Sequence, residues 1–576
     1  MDEQQLPPNT LFPSPFSHVL HTNYFPSKQE AQMMDSLLQE PQQRLDDLNA
    51  HITRLEETLE RVRGERDTLR THIEDHRALL SPFRRFPEDV LREIFAWCLN
   101  PYPIRSAAHA PLLLTTICRY WREIALTTPR LWSSIHIFIP QFRNVQRFEE
   151  LISQRIAGVD RWLRHSGDMP LTLSIAFDLA MPTFTYDIAQ AMLRTGQLVM
   201  DTFFRYRTQW KDVTLHGVLP AFLASATGLK LNEMPRLTTL SITGSVAPGI
   251  QTKYDDTSLD SLIQASPSLQ KFHFTFESHD VLTLPLRWEQ MTEISLRSRR
   301  GSVGAQSGLT ALSHMSQNLR KCCLWILSTA MEADKQIHLP SLQSLEIFFQ
   351  DTRSAGNVVQ VGHFETIKAF LGALTCPSLE HLLVDGEAAV TESPFVPFLE
   401  QSGFNLKSFS TCLPLNGEAL VDCLRMMSGL TTLNLRRGVF WGTQQDTQAA
   451  IRAMTPFECD NPIDMLCPAL EDLTFMDMHP IDAEIVMDLL SRRARGFKYV
   501  KAIFNNAPKT GVEEWQGYRS RLNDLRRGGL SVVWRFSKPK DAFDRPVNDS
   551  PNSGHPLVMV SMNDPGHPEY RQMEAY

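Results

Sequence analysis

Several features that mark membrane, secreted, nucleic-acid-binding or catalytic proteins are scarce in this 576-residue chain. Long apolar runs are missing. The uncharged stretch from Gln4 to Ser27 is cut by five prolines, and elsewhere charges interrupt every run before the ~20 residues that a bilayer span needs. No membrane partner is expected. The first 30 residues lack the basic, apolar and small-residue zones of a secretory leader, so export is not expected either. Cysteine is sparse and odd in number, with nine residues scattered from Cys98 to Cys467, which argues against a disulfide scaffold and suits a reducing compartment. The expected location is intracellular, in the cytoplasm and/or nucleus. Charge of one sign is lacking too: 57 basic residues face 65 acidic ones, for a net charge of -8. No domain-wide positive field is available to a phosphate backbone, and nucleic acid is not expected as a partner. There is no Walker loop, no His-Glu-x-x-His, no Gly-x-Ser-x-Gly and no Cys-x-x-Cys. The expectation is a non-enzyme without catalytic residues, cofactor or metal.

What is present begins with heptads. Leu45, Ile52, Leu59, Arg66, Ile73 and Leu80 fall at a, and Leu48, Leu55, Val62, Leu69 and His76 at d, so nine of eleven seam positions are apolar. Five heptads with charged outer positions predict a coiled coil over 41–81, preceded by a disordered head, 1–40. Only Glu65 and Arg70 would form a plainly attractive g-to-e pair, which leaves the partner open: a second copy of this chain or the remainder of the same chain.

After Pro82, the run Phe86-Pro87-Glu88-Asp89 predicts a helix start, with proline and acids in the first turn. Val90, Leu91, Ile94, Phe95, Cys98 and Leu99 then make one apolar stripe. A second helix is predicted from Leu112 to Leu126, followed by Thr128-Pro129-Arg130-Leu131-Trp132. Two such helices are too little for a core of their own and need covering. The ordered set Phe86-Pro87, Val90-Leu91, Ile94-Phe95, Leu99, Ile117-Cys118-Arg119, Trp121-Arg122 and Leu131-Trp132 resembles the F-box, and is similar to F-box-like proteins of mushroom-forming fungi. The resemblance implies a small helical module over 82–136. It also implies that Phe86, Pro87, Val90, Leu91, Ile94, Phe95, Ile117 and Trp121 dock on the Skp-type linker subunit of a cullin-RING ubiquitin ligase. Phe86 for the usual Leu and a longer link, Asn100 to Ala110, are the departures.

From 160 to 536 a six-residue phrase, apolar-x-x-apolar-x-apolar, recurs. Its instances begin at Trp210, Leu237, Leu269, Met291, Leu319, Leu342, Leu379, Leu406, Leu430, Leu470 and Phe497, 22 to 40 residues apart. Positions four and six share one face of a short strand. Helix-like stretches between phrases often end in x-Pro-x-Leu, as in Met234-Pro235-Arg236-Leu237. The pattern resembles the leucine-rich repeats, without their usual Asn ladder. It implies an irregular α/β horseshoe: a parallel β-sheet with outer helices. Positions three, five and seven would line the concave surface, where His273, Arg297, Trp325, Phe348, Asp385, Arg436 and Tyr499 are candidates to hold a protein target. The stretch from 537 to 576, rich in Pro, Asp, Asn and Ser, is expected to be a disordered tail.

Together the resemblances imply a substrate-recognition subunit of an SCF-type ligase that performs no bond chemistry itself. The alternative is a non-catalytic structural adaptor, assembled through its heptads and repeats, with no ligase partner.

Overall fold

The computed structural model describes residues 14–537, apart from 81, 101–102, 140–144, 178–185, 245–255, 277–280, 299–302, 316, 330, 332–334, 351–361, 387–392, 404–405, 414, 416, 437–444, 456–464, 480–481 and 506–511. Of the expected tail only Ser537 is described, as the end of a strand; the rest of it and residues 1–13 of the expected head lie outside the described residues. The chain divides into two compact units, Met1–Leu91 and Arg92–Tyr576.

The first unit is dominated by one helix, α1, Lys28–Leu79. Its 52 residues span about 78 Å. The helix starts well before 41, so residues 28–40 of the expected head are helical. The reason is a capping box: the Ser27 amide donates to the Glu30 carboxylate at 2.8 Å and the Glu30 amide donates to Ser27 Oγ at 3.4 Å. Pro41, expected near a helix start, sits inside the helix. Leu45, Leu48, Ile52, Leu55, Leu59, Val62, Leu69 and Ile73 are 47–62 % exposed. The ion pairs Arg61–Glu65 and Arg70–Glu74, at 2.8 and 2.9 Å, run along the helix at i,i+4 and add a few tenths of a kcal/mol each.

A second helix, α2, Glu88–Trp97, follows Pro87 with Glu88 and Asp89 in its first turn. The single helix expected over Leu112–Leu126 is broken into α3, Leu114–Ile117, and α4, Arg119–Leu126. The Thr115 and Thr116 hydroxyls donate to the Leu112 and Leu113 carbonyls, both at 2.7 Å, which competes with helical bonding. Cys118 is extended, and its Sγ accepts from the Trp121 amide at 3.4 Å to cap α4.

The second unit is α/β, built on one large parallel sheet with many helices. Its strands pair in chain order: Ser134–Ile139, Leu171–Phe177, Trp210–Val218, Thr239–Gly244, Lys271–Phe276, Glu293–Ser298, Lys321–Leu327, Ser344–Gln350, His381–Asp385, Ser408–Thr411, Thr432–Arg436, Asp472–Met478, Tyr499–Asn505 and Ser531–Ser537. The sheet begins at Ser134, inside the span expected for the helical module. Residues before it are joined to it, for the His136 amide donates to the Pro103 carbonyl at 2.8 Å.

Every one of the eleven phrases forms a strand, and the register aligns them position by position: Val213 with Leu240, Leu240 with Phe272, Phe272 with Ile294, and so on to Leu473 with Val500. Positions one, four and six are buried in all of them. In the x-Pro-x-Leu units the leucine amide closes a turn on the carbonyl before proline: Leu237 to Met234, Leu269 to Ser266, Leu342 to Leu339, Leu379 to Cys376 and Leu470 to Cys467, at 3.1–3.4 Å. Proline presets the second residue of that turn. The expected irregularity shows in three of the pairings, as register shifts at Leu171/Thr172, His216/Val218 and Phe475/Met478. Each position-two carbonyl from Thr238 to Glu471 accepts the amides of positions two and three of the following unit, so the backbone supplies a ladder where an asparagine would otherwise serve.

Phe272 is completely buried at position four of a mid-sheet strand. Phe272→Ala should lower the unfolding free energy by roughly 3–5 kcal/mol through lost burial and a residual cavity. Urea titration followed by circular dichroism measures it, and a loss below about 1 kcal/mol would contradict this packing.

Candidate functional site

In the sheet, positions four and six face the helices, as where Phe409 at position four meets Phe395 of the helix Phe395–Ser402, ring centres 5.1 Å apart. Positions three, five and seven lie on the opposite face because successive side chains alternate. Ser241, Ser295 and Cys323 at position five are small and buried beneath longer neighbours.

The centre of this face is a cation set among aromatics. Arg297, Trp325 and Phe348 occupy position seven of three successive strands, Glu293–Ser298, Lys321–Leu327 and Ser344–Gln350. The Trp325 and Phe348 rings lie 5.3 Å apart. Arg297 is only 7 % exposed, with its guanidinium 5.9 Å from the Phe348 ring centre and Nη2 3.6 Å from Cys323 Sγ. A cation over an aromatic face is worth about 0.5–2 kcal/mol, more as water is excluded. Trp325 Nε1 is buried and finds no acceptor among the described residues.

On one side of this centre, His273 Nε2 and Lys271 Nζ each approach the Glu293 carboxylate at 3.3 Å. The neighbouring His273 holds Glu293 down to about 2 against the opposing effect of burial, with further help from Lys271 and Lys321. On the other side, Phe348 pairs in register with Asp385. Asp385 and Arg436 both contact the Cys412 thiol, which burial pushes well above its ordinary value, with Asp385 adding to the rise and Arg436 opposing it. Burial likewise raises Cys323 to about 12, so neither thiol is a thiolate near neutral pH.

Six of the seven residues expected on this surface therefore lie along seven consecutive strands, from that of His273 to that of Arg436: Arg297, Trp325 and Phe348 in the middle, His273 beside Glu293, and Asp385 with Arg436 around Cys412. Tyr499 does not join them; four strands separate its strand from that of Phe348. Cys412 was not among the candidates, although it occupies position seven of the phrase starting at Leu406. Cys323 is position five of its own phrase. The rule that found the others reaches both.

The segment proposed for linker docking divides differently from the expectation. Leu91 and Phe95 are completely buried, and Phe95 packs on Trp121 with ring centres 4.9 Å apart. Leu91 and Phe95 thus leave the list of contact residues, since a large apolar side chain on the inner side of a helix stays in the core. Ile94 and Trp121 are half-buried, while Phe86, Pro87, Val90 and Ile117 are exposed. Trp97 is 83 % exposed and Leu113 and Tyr120 are also exposed, three apolar side chains the pattern had not offered. Cys98, placed by its spacing on the apolar stripe, is exposed, as is Cys118.

Comparison with protein-family models and with curated proteins finds no match to this chain. The functional reading rests on the residues and their arrangement. No helix among the described residues is long and apolar enough to cross a membrane, and these residues hold no cluster of three or more metal-ligating side chains.

Glu293 generates a pH prediction. Its carboxylate is near 2 in the folded chain and near 4.3 when unfolded, so its contribution is present above about pH 4.5 and is lost as pH falls toward 2. Glu293→Gln should cost roughly 1–2 kcal/mol at pH 7, allowing for solvent screening at a partly open face. Urea midpoints of native and variant chains should converge as the pH falls through 3; a gap of constant size would contradict the assignment.

Proposed function

We propose that this chain is a substrate-recognition subunit of an SCF-type cullin-RING ubiquitin ligase. In this reading the F-box-like segment docks on the Skp-type linker, and the open face of the repeat sheet, a leucine-rich-repeat horseshoe, binds a protein target. The chain performs no bond chemistry; it raises the target's effective concentration beside the catalytic partners of the ligase. The observation that carries the reading is that a segment with the F-box residue order leaves large apolar side chains in solvent, Ile117 at 55 % and Trp97 at 83 % exposure. Such anchors dominate protein interfaces. The sheet face supports the second half: mixed charges, an aromatic pair and a buried indole donor suit a polypeptide, which offers carbonyls and side chains of both signs, better than a uniform polyanion.

The heptads of α1 are read as a homodimer seam, because half-exposed leucines repeat every seven residues along it. Light scattering on the full chain should give twice the monomer mass at micromolar concentration. Ile52→Asp with Leu55→Asp should return it to the monomer, and a native chain that is monomeric throughout would remove the dimer.

The ligase reading is tested by co-purification with the linker subunit. The native chain should retain the linker, and Val90→Asp with Ile117→Asp should reduce retention at least tenfold. Both sites are exposed, so the fold should survive the change. If the native chain captures no linker, the ligase reading fails and the structural adaptor takes its place; if the variant captures as much as the native chain, these residues are not the contacts.

A further inference from the structure

Within the second unit, a solvent-open cleft of about 240 Å³ lies between the helix α5, Val145–His165, and residues that precede the first strand. Its apolar floor includes Leu112, Leu126 and the buried Trp132, which packs edge to face on Trp162 at 4.9 Å. The rim carries three guanidiniums, Arg105, Arg122 and Arg161, together with the imidazole of His165, whose ring lies 5.0 Å from that of Trp132. Among the described residues, no carboxylate lines the cleft. In a chain of net charge -8, three arginines gathered without a counter-charge are unusual.

Two of these arginines are tied at Nε to backbone carbonyls. Arg122 Nε donates to the Thr115 carbonyl at 2.7 Å, and Arg161 Nε to the Ala157 carbonyl at 3.5 Å. Arg105 makes no ion pair among the described residues; its guanidinium lies against Gly158, where an added Cβ would stand 2.1 Å from Cζ. Burial, and then the charges of Arg155 and Arg161, hold Arg105 below its ordinary value. A glycine in mid-helix costs about 1 kcal/mol relative to alanine, and crowded like charges cost more stability. Both costs are met in the same place, as at sites where function is placed above stability.

We propose that this cleft binds a small phosphate monoester, its phosphate on the three guanidiniums and its apolar or aromatic group on the floor of Leu112, Leu126 and Trp132. Guanidinium forks match phosphate oxygens in pairs. A phosphate carries nearly two charges and three acceptor oxygens near neutral pH, which answers three arginines where a single carboxylate does not. The volume is at the small end for ligand sites, which favours a compact molecule. This site is independent of the ligase reading.

Calorimetric titration of the full chain with phenyl phosphate tests it. Phenyl phosphate should bind saturably, inorganic phosphate at least tenfold more weakly, and phenol not measurably. Arg105→Gln with Arg161→Gln should weaken phenyl phosphate at least tenfold. Gly158→Ala should weaken it as well, because it displaces the Arg105 guanidinium while keeping every charge. Arg436→Gln, on the sheet face, should change nothing. Without ligand, the double variant should melt no lower than the native chain, since repulsion is relieved, and this separates lost binding from lost fold. Absence of saturable binding by the native chain, or equal binding by the cleft variants, would overturn the proposal. A phosphotyrosyl peptide that binds tenfold tighter than phenyl phosphate would overturn it in favour of a protein ligand.

Discussion

The second unit depends on one constraint: each strand of a growing parallel sheet must present its hydrogen-bonding edge and its apolar face in the same register as the strand before it. A slip by one residue would turn the apolar set outward. Here the register is held at the start of each strand. From Thr238 to Glu471 the position-two carbonyl takes two amides from the following unit, and a turn, often built on proline, sets where the strand begins. Positions one, four and six then fall into the core without exception over eleven units. Most of the chain is thereby stabilised as a sum of neighbouring contacts rather than around a single centre.

The same constraint frees the opposite face. Because one face satisfies the core, positions three, five and seven can vary, and there the chain places arginine, tryptophan, phenylalanine, glutamate and aspartate side by side. The desolvated Arg297 shows how such a surface becomes specific. Its charge is held by the Phe348 ring and the Cys323 thiol and is kept from water by its neighbours, so a partner meets a shaped surface rather than a mobile side chain.

Much of this was legible in the residues, and the failures have physical causes. The phrase located eleven strands. It overlooked the first, although Trp132-Ser133-Ser134-Ile135-His136-Ile137 obeys it, because the same residues close the F-box-like pattern; Trp132 both ends that segment and opens the sheet. It overlooked Leu171–Phe177 and Ser531–Ser537 because position one is Pro170 in one and Gly529 in the other, the glycine at φ +96°. A motif that demands an apolar residue there cannot see a turn that needs none. The early helix start went unread because Ser27 to Glu30, a capping box, precedes a run without clear heptads. The break at Cys118 required two threonines to prefer local backbone bonds, a competition that apolar spacing does not register.

The sequence by itself determined the α/β class, the positions of eleven strands and the side of each that faces the core, because alternation and burial are local properties that repeat along the chain. Only the tertiary structure decided which side chains meet. Arg297 reaches past the Trp325 strand to the Phe348 ring, Phe95 turns inward while Trp97 on the same helix stays in solvent, and Arg105 settles on Gly158 from a different segment. These contacts join residues far apart in the chain, and their distances follow from how strands and helices stack rather than from the spacing of any motif.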